Sequence, residues 1–494
     1  MQEDRFANFG MYTGNEKFIF FDLLLAREYG MCYNEVKRTP LTDSRDDKSE
    51  TEAYIMQHKL FARYPIGNPR RKWKQDNFVL SIANPGPMGL DIADEFTLRK
   101  VRRAVKTCTD AGFNLLECLW ASPEVGMEIV RTAESVGNRV VFQNLKQFGG
   151  MGLKNVFCEK NDPESAMEQM RPWKSVAGFY MWDEPCLDDQ MRETRRMIDL
   201  CEKTTPDKLA FTVANPSYHP NFRWDEGNYA PYIDRFADII DPVQLSFDYY
   251  PIGTREYIVE KQLDASHMWH DLEVVRRAAA KREMPMWFYY QGQKYHFHKR
   301  EYAFHHGMAR MMAYAGVLHG VKGLQCYTEF EGPVNPEDGG HGVFFAEQKQ
   351  LHSEIRALND TLMALSCDRV IHDDTLLPDC PVMARWRTAM SESELLEGEL
   401  RPRLSVSEHH DAYGNRYLMV LNRDYETDSH AQLTLKNPSH VYKVSRVDGE
   451  QEMVYYNTKK IQLHLAPGTL ELYRIQPGEE KPFTVEYYLE KDIH

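Results

Sequence analysis

Residues able to move protons gather in a few short stretches of this chain. The densest is Gly178-Phe179-Tyr180-Met181-Trp182-Asp183-Glu184-Pro185, an apolar run ending in an acid pair and a proline. Burial beside Trp182 would desolvate the Glu184 carboxyl and raise its pKa toward working pH, as a general acid requires. Further carboxyls stand at Asp248, inside Leu245-Ser246-Phe247-Asp248-Tyr249-Tyr250-Pro251, and at Glu329. A donor that protonates a leaving oxygen, together with a second group that stabilises or captures an electron-poor carbon, is the minimum for cleaving a glycosidic bond. Around these acids lie amides and rings: Asn84, Glu117, Trp120, Asn144, Asn215, Tyr249, Tyr250, Trp287, Gln291, Gln293 and Tyr327. Amides and carboxylates suit sugar hydroxyls, and rings suit sugar C–H faces. Phosphate ligands would call for Arg, Lys or glycine-rich nests, which are scarce in these stretches.

The same residues also fit structural roles. Asp183 could pair with a neighbouring cation, Asp248 could cap the turn that follows it, and Gln291 and Gln293 could satisfy loop backbone. Rings inside a fold more often fill core than bind ligand. Nine cysteines are spread singly from Cys32 to Cys380 without a C-x-x-C pair, so neither a disulfide framework nor a zinc ribbon is expected. No H-E-x-x-H, Walker A or G-x-G-x-x-G pattern occurs, and no cofactor or metal is expected.

These residues fall where strands should end. Eight runs of β-branched and aromatic residues are bounded by turn formers: 78–83, 113–120, 138–144, 176–183, 208–215, 242–248, 284–291 and 321–328. Helical patterns follow at 96–111, 123–136, 187–203, 268–281, 301–319 and 346–365. A start-to-start spacing of about 35 residues is that of a βα unit, and eight units make a (β/α)8 TIM barrel, whose reactive groups sit at the carboxyl ends of its strands. Asn84-Pro85-Gly86-Pro87 after the first strand is no phosphate cradle, which disfavours a doubly wound sheet. From about Cys367 alternating strands at 403–408, 417–422, 430–435, 442–447, 460–465 and 469–475, with Tyr413-Gly414-Asn415 and Asp448-Gly449 as turns, predict an all-β sandwich. The expected organisation is an N-terminal extension packed on the barrel (1–75), the barrel (76–366), the β-sandwich (367–478) and a tail (479–494).

The strand ending Trp182-Asp183-Glu184-Pro185 resembles the acid/base strand of clan A glycoside hydrolases, the family 42 β-galactosidases among them. The Leu245–Pro251 and Gly323-Leu324-Gln325-Cys326-Tyr327-Thr328 runs are similar to strands of those relatives, and many of them carry a β-sandwich after the barrel. The resemblance covers roughly residues 78–475 and implies a glycoside hydrolase with Glu184 as proton donor. It has two departures. Asp183 stands where clan A places Asn, and the seventh strand reads Trp287-Phe288-Tyr289-Tyr290-Gln291-Gly292-Gln293 where the nucleophilic Glu would end it. An amide cannot attack an anomeric carbon as a carboxylate does. The second group is then Asp248, two strands away, or Glu329 on the eighth strand. A separation of about 5–5.5 Å makes such a carboxylate a nucleophile, and about 6.5–9.5 Å makes it an inverting base. A third route lies in the likeness of Asp183-Glu184 to the acid pair of family 20 hexosaminidases, where Asp orients a 2-acetamido group of the substrate as nucleophile. That route needs both side chains on one face, hence a break in regular β geometry, which Pro185 would favour. Two rival readings are a metal-dependent barrel hydrolase, suggested by His296 and His298, and a non-catalytic carbohydrate-binding barrel, suggested by the absent Glu.

The chain is 494 residues long, with 60 Lys and Arg against 74 Asp and Glu and a net charge of −14. That balance argues against a phosphate-tracking nucleic-acid binder. A hydrophobic fraction of 42% with mean hydropathy −0.58 describes a globular protein with ample core. The apolar run Phe18–Leu25 is too short to span a bilayer, and the mixed charge before it is unlike a secretory signal, so a cytoplasmic protein without membrane partners is expected. The expected partner is a carbohydrate substrate, with homo-oligomer formation left open.

Overall fold

The computed structural model describes residues 66–83, 85, 94–118, 123–143, 162–219, 228–254, 257–258, 267–293, 296–297, 300–301, 304–328, 332–376 and 381–478. The expected extension before residue 66 and the tail after 478 lie outside them. Eight parallel strands form the barrel: β1 (Val79–Ala83), β2 (Leu115–Cys118), β3 (Val140–Gln143), β4 (Val176–Asp183), β5 (Leu209–Val213), β6 (Leu245–Tyr249), β7 (Met286–Gln291) and β8 (Gly323–Tyr327). Their order is β5-β4-β3-β2-β1-β8-β7-β6, and a parallel bridge from Ala214 to Phe247 joins β5 to β6.

Side-chain alternation sorts the strand residues into two cores. Val79, Leu115, Tyr180, Leu209, Phe211, Trp287 and Tyr289 fill the barrel interior. Leu80, Leu116, Phe179, Phe247, Phe288 and Leu324 face the surrounding helices. Gly323 is required where β8 passes the Trp287 ring, because an added Cβ would lie 2.8 Å from that ring.

The helices are α1 (Glu95–Asp110), α2 (Pro123–Val136), α3 (Pro163–Met170), α4 (Asp188–Thr204), α5 (Tyr229–Ile240), α6 (Met268–Lys281), α7 (His306–Leu318) and α8 (Phe345–Ala357), with a short α9 (Asn359–Ala364). In α1 the Asp94 side chain caps the Thr97 amide at 2.7 Å, and Val101, Ala104, Val105 and Cys108 repeat at helical spacing on the buried face. Two helices lie outside the expected set. The α3 helix starts with the Asp162 cap and a first-turn proline but spans only eight residues. The α5 helix buries Tyr229, Tyr232, Ile233, Phe236, Ala237 and Ile240, a full apolar stripe that Pro231 obscures in sequence although proline is tolerated in a first turn. Asp241 ends α5 in the left-handed region at φ 48°. Asn68 and Arg70 hold its carboxylate at 2.7 and 2.9 Å, so the segment 66–75 is tied to the amino end of the barrel.

The β-sandwich is one seven-stranded antiparallel sheet folded on itself: β9 (Ser366–His372), β10 (Leu396–Glu397), β11 (Leu404–His410), β12 (Arg416–Asn422), β13 (Ser429–Val444), β14 (Gln451–Leu465) and β15 (Leu470–Pro477). The expected runs 430–435 and 442–447 belong to the single strand β13, whose pairing shifts between Thr434 and Ser439. Before that irregularity β13 pairs with β10, and after it with β15, which brings Leu433, Leu435, Val441, Leu418 and Ile475 into one core. The opposite face, with Tyr417, Met419, Leu421 and Leu472, merges into the helix-facing core of the barrel.

Candidate active site

The barrel interior changes character from one end to the other. At the amino end it is apolar and closed by Trp287, whose Nε1 donates to Gln75 Oε1 at 2.9 Å. Midway up lies a polar layer centred on Glu117, which is 1% exposed. Ser81 Oγ and Gln325 Nε2 donate to Glu117 Oε1 at 2.6 and 2.9 Å, and the Tyr289 hydroxyl donates to Oε2. Ser246 Oγ donates to Gln325 Oε1 at 2.7 Å, which extends the layer to β6. Burial pushes the Glu117 pKa up, against the pull of its three donors.

Above this layer β4 departs from regular geometry. Its pairing with β5 shifts between Tyr180 and Trp182, and the Tyr180 hydroxyl reaches Asp183 Oδ1 at 2.7 Å. Glu184 then adopts φ 52°, a left-handed conformation rare for a residue with a side chain. The turn is fixed from below: Thr212 Oγ1 donates to the Trp182 carbonyl at 2.7 Å, Asn215 Nδ2 to the Glu184 carbonyl at 2.9 Å, and Tyr232 Oη to the Pro185 carbonyl at 3.2 Å. Strain of about 1–3 kcal/mol is thus held by surrounding bonds. It reverses the β alternation, so that Asp183 and Glu184 both act on the carboxyl that β6 contributes.

That carboxyl is Asp248, an inward position between the outward Phe247 and Tyr249. Its charge and a hydrogen bond to it, after burial, hold the Glu184 pKa well above the usual carboxylate range, and Asp183 adds to the effect. Asp248 is likewise held well above its ordinary value by burial first and by Asp183 second, with a hydrogen bond from Tyr250 opposing them. Burial raises Asp183 too, partly offset by Tyr180. Neighbouring buried carboxyls do not both ionise readily, so Glu184 and Asp248 hold protons more tightly than isolated acids do. Beside them Tyr250 and Tyr327 stack at 4.7 Å between centroids and 27° between planes. Asp183 and Glu184 are only half-buried, so a ligand can reach them.

Six candidate residues take other places than expected. Trp287 lies near the start of β7 at the opposite end of the barrel, about four residues or 13 Å of strand from the mouth. Tyr249 points outward and packs edge-on against Tyr218 at 5.0 Å, because its parity is opposite to that of Asp248. Glu117 is enclosed by its donors beneath the mouth. Gln291 braces a loop: its Nε2 donates to the carbonyls of Ile252 and Gln293 at 2.9 and 3.0 Å, and its Oε1 accepts from the Ile252 amide at 3.0 Å. Gln293 is fully buried beside it. Asn215 positions the Glu184 turn. Asn84, Trp120, Asn144 and Glu329 lie outside the described residues. Tyr180, Tyr289 and Gln325, which bond to the Asp183 and Glu117 carboxyls, and Tyr232, which holds the turn through the Pro185 carbonyl, are not among the candidates. For the first three, strand parity was the available signal. Among the described residues no group of three or more His, Cys, Asp or Glu is arranged to hold a metal ion.

No protein-family model and no curated protein matches the chain. Solved structures do. A GH42 β-galactosidase from G. stearothermophilus, in a catalytic-mutant form, aligns over 84% of this chain and 99% of its own with TM-score 0.52 at 8% identity. A GH27 β-L-arabinopyranosidase from Geobacillus stearothermophilus aligns over 82% and 98% with TM-score 0.47 at 8% identity. A putative α-galactosidase/melibiase from Bacteroides fragilis aligns over 81% and 79% with TM-score 0.45 at 11% identity. The class that emerges is a parallel eight-stranded barrel followed by an antiparallel β-sandwich. The likeness to the GH42 enzyme, which spans nearly all of that chain, is a likeness of fold.

Proposed function

We propose that this protein is a glycoside hydrolase in which Glu184 protonates the leaving oxygen and Asp248 is the second group. One observation supports the reading: at the carboxyl end of the barrel the Asp248 carboxyl helps hold the Glu184 pKa well above the usual carboxylate range, and burial holds Asp248 up as well. In this reading the two carboxyls stand at the retaining spacing of about 5–5.5 Å, with Asp248 as the nucleophile. Asp248 then attacks the anomeric carbon while Glu184 gives its proton to the departing oxygen. In the second half Glu184, now ionised, takes a proton from water as that water displaces Asp248. The stacked Tyr250 and Tyr327 offer a platform for a sugar face. The fold shared with the GH42 β-galactosidase supports a hexoside as substrate.

The test is turnover of an aryl glycoside panel by Glu184→Gln. Loss of the proton donor should lower kcat/KM by about 10²–10⁴ for poor leaving groups and far less for dinitrophenyl glycosides, which depart without protonation. Equal loss on both, or none on either, overturns the assignment.

The left-handed turn at Glu184 favours a second reading, because it directs both acids of the pair to one centre. Here Asp183 orients a 2-acetamido group of the substrate. Asp248→Asn separates the two: the first reading loses turnover on every sugar, while the second keeps it on N-acetylhexosaminides and loses it in Asp183→Asn.

A further inference from the structure

The amino end of the barrel, opposite the carboxyls, contains a cavity of about 550 Å³. In most barrels this end is packed for stability. Here its walls carry five cations, Lys72, Lys74, Arg139, Lys174 and Lys208, against two carboxylates, Asp76 and Asp207. That excess of positive charge stands out in a chain of net charge −14.

The wiring of these cations leaves charge uncompensated. Lys74 Nζ donates to the Asn68 carbonyl at 2.6 Å, a bond that holds the ammonium group without neutralising it, whereas Lys208 Nζ donates to the Trp173 carbonyl at 3.1 Å and pairs with Asp207 Oδ2 at 3.7 Å. Arg139 is half-buried, and desolvation lowers its pKa. Its Nε donates to the Asn114 carbonyl at 3.3 Å, and among the described residues its guanidinium has no carboxylate within ion-pair distance. Elsewhere the chain pairs its buried guanidiniums closely: Arg71 with Asp199 at 2.8 Å, Arg276 with Glu273 at 2.7 Å, and Arg423 with Asp373 at 2.6 Å. The Asp76 charge on the same wall opposes the burial of Arg139 only in part, so its guanidinium lacks the close carboxylate that would offset the rest. Trp73, half-buried on the same wall and edge-on to Trp287 at 6.3 Å, adds an apolar surface.

We propose that this cavity binds a small phosphate ester, with the phosphate on Arg139 between Lys174 and Lys208 and the organic part against Trp73. The surplus of cations matches a dianion better than a monocarboxylate, and the volume greatly exceeds that of inorganic phosphate, which points to a ligand of sugar-phosphate size. The planar fork of Arg139 suits two phosphate oxygens at once.

Calorimetric titration of the full chain with glucose 6-phosphate, inorganic phosphate and glucose tests this, with tryptophan fluorescence as a second readout for Trp73. Glucose 6-phosphate should bind saturably, inorganic phosphate should compete more weakly, and glucose should leave the Trp73 signal unchanged. Arg139→Gln should weaken the ester by about tenfold or more. Lys174→Gln, at an exposed position, should weaken it by a few fold and decides the matter if Arg139→Gln fails to fold. Glu184→Gln should bind the ester as the parent does, which separates this cavity from the upper mouth. Absence of saturable binding at about 10 mM, affinity unchanged in the Arg139 and Lys174 variants, or loss of binding in Glu184→Gln would overturn the proposal.

Discussion

A carboxyl earns a role in proton transfer from its neighbours. Asp183, Glu184 and Asp248 lie within one another's fields, and burial raises all three. This has a thermodynamic consequence with a definite sign. The folded chain holds protons on Glu184 and Asp248 that the unfolded chain releases near its ordinary carboxylate pKa of about 4. Their favourable contribution is therefore complete below about pH 4 and drains as pH rises through the raised folded values. Replacing the ionisable group removes the drain. We expect Glu184→Gln to be more stable than the parent by about 1–2 kcal/mol at pH 8 and no more stable at pH 4, read by urea denaturation. Equal stability at both values would show that Glu184 ionises freely in the folded protein.

At the scale of elements, the site depends on how β4 is held against β5. A Cβ on Gly178 would lie 2.0 Å from the Leu209 carbonyl oxygen, so only glycine lets the two strands approach at that point. Gly178→Ala should cost about 1–3 kcal/mol in denaturant titration. Asn215→Ala acts differently. It frees the Glu184 carbonyl, so we expect kcat to fall by about tenfold for a stability loss of about 1 kcal/mol. A stability loss with unchanged kcat would reduce Asn215 to scaffolding. The eight strands and six of the helices were legible in the sequence because apolar periodicity is a local property. The α5 helix was obscured by Pro231 in its first turn. Strand parity was legible too: alternation from Asp248 puts Tyr249 on the helix side, and counting back from Gln291 puts Trp287 at the far end. The polar layer under the mouth was not, because Ser81, Glu117, Tyr289 and Gln325 come from four strands and only barrel closure brings them together. Nor did the sequence reveal that Asp248 acts on the Glu184 pKa, since that depends on the shift in β4 and the left-handed turn after it.

Over the whole molecule, the barrel and the β-sandwich share one apolar core, in which Met311 and Met312 of α7 join Met419 and Leu472 of the sheet. The joint is pinned by Arg423, which pairs with Asp373 at 2.6 Å and lies over the Trp269 ring of α6 at 5.8 Å. Removing Asp373 strands a fully buried guanidinium. Asp373→Ala should destabilise the chain by about 3–5 kcal/mol and lower the Tm of a single transition that includes the barrel. Separate melting of the sheet, with the barrel transition unmoved, would show that the two units are thermodynamically independent. Among the described residues no helix is long and apolar enough to cross a membrane.

The division of labour between Glu184 and Asp248 is tested most directly by trapping the intermediate it requires. A 2-deoxy-2-fluoro dinitrophenyl glycoside of the best-cleaved sugar should inactivate the protein, and peptide mass spectrometry should place a single glycosyl group on Asp248. A label on Glu329 or Glu184, or rapid hydrolysis with no covalent adduct, would contradict the account.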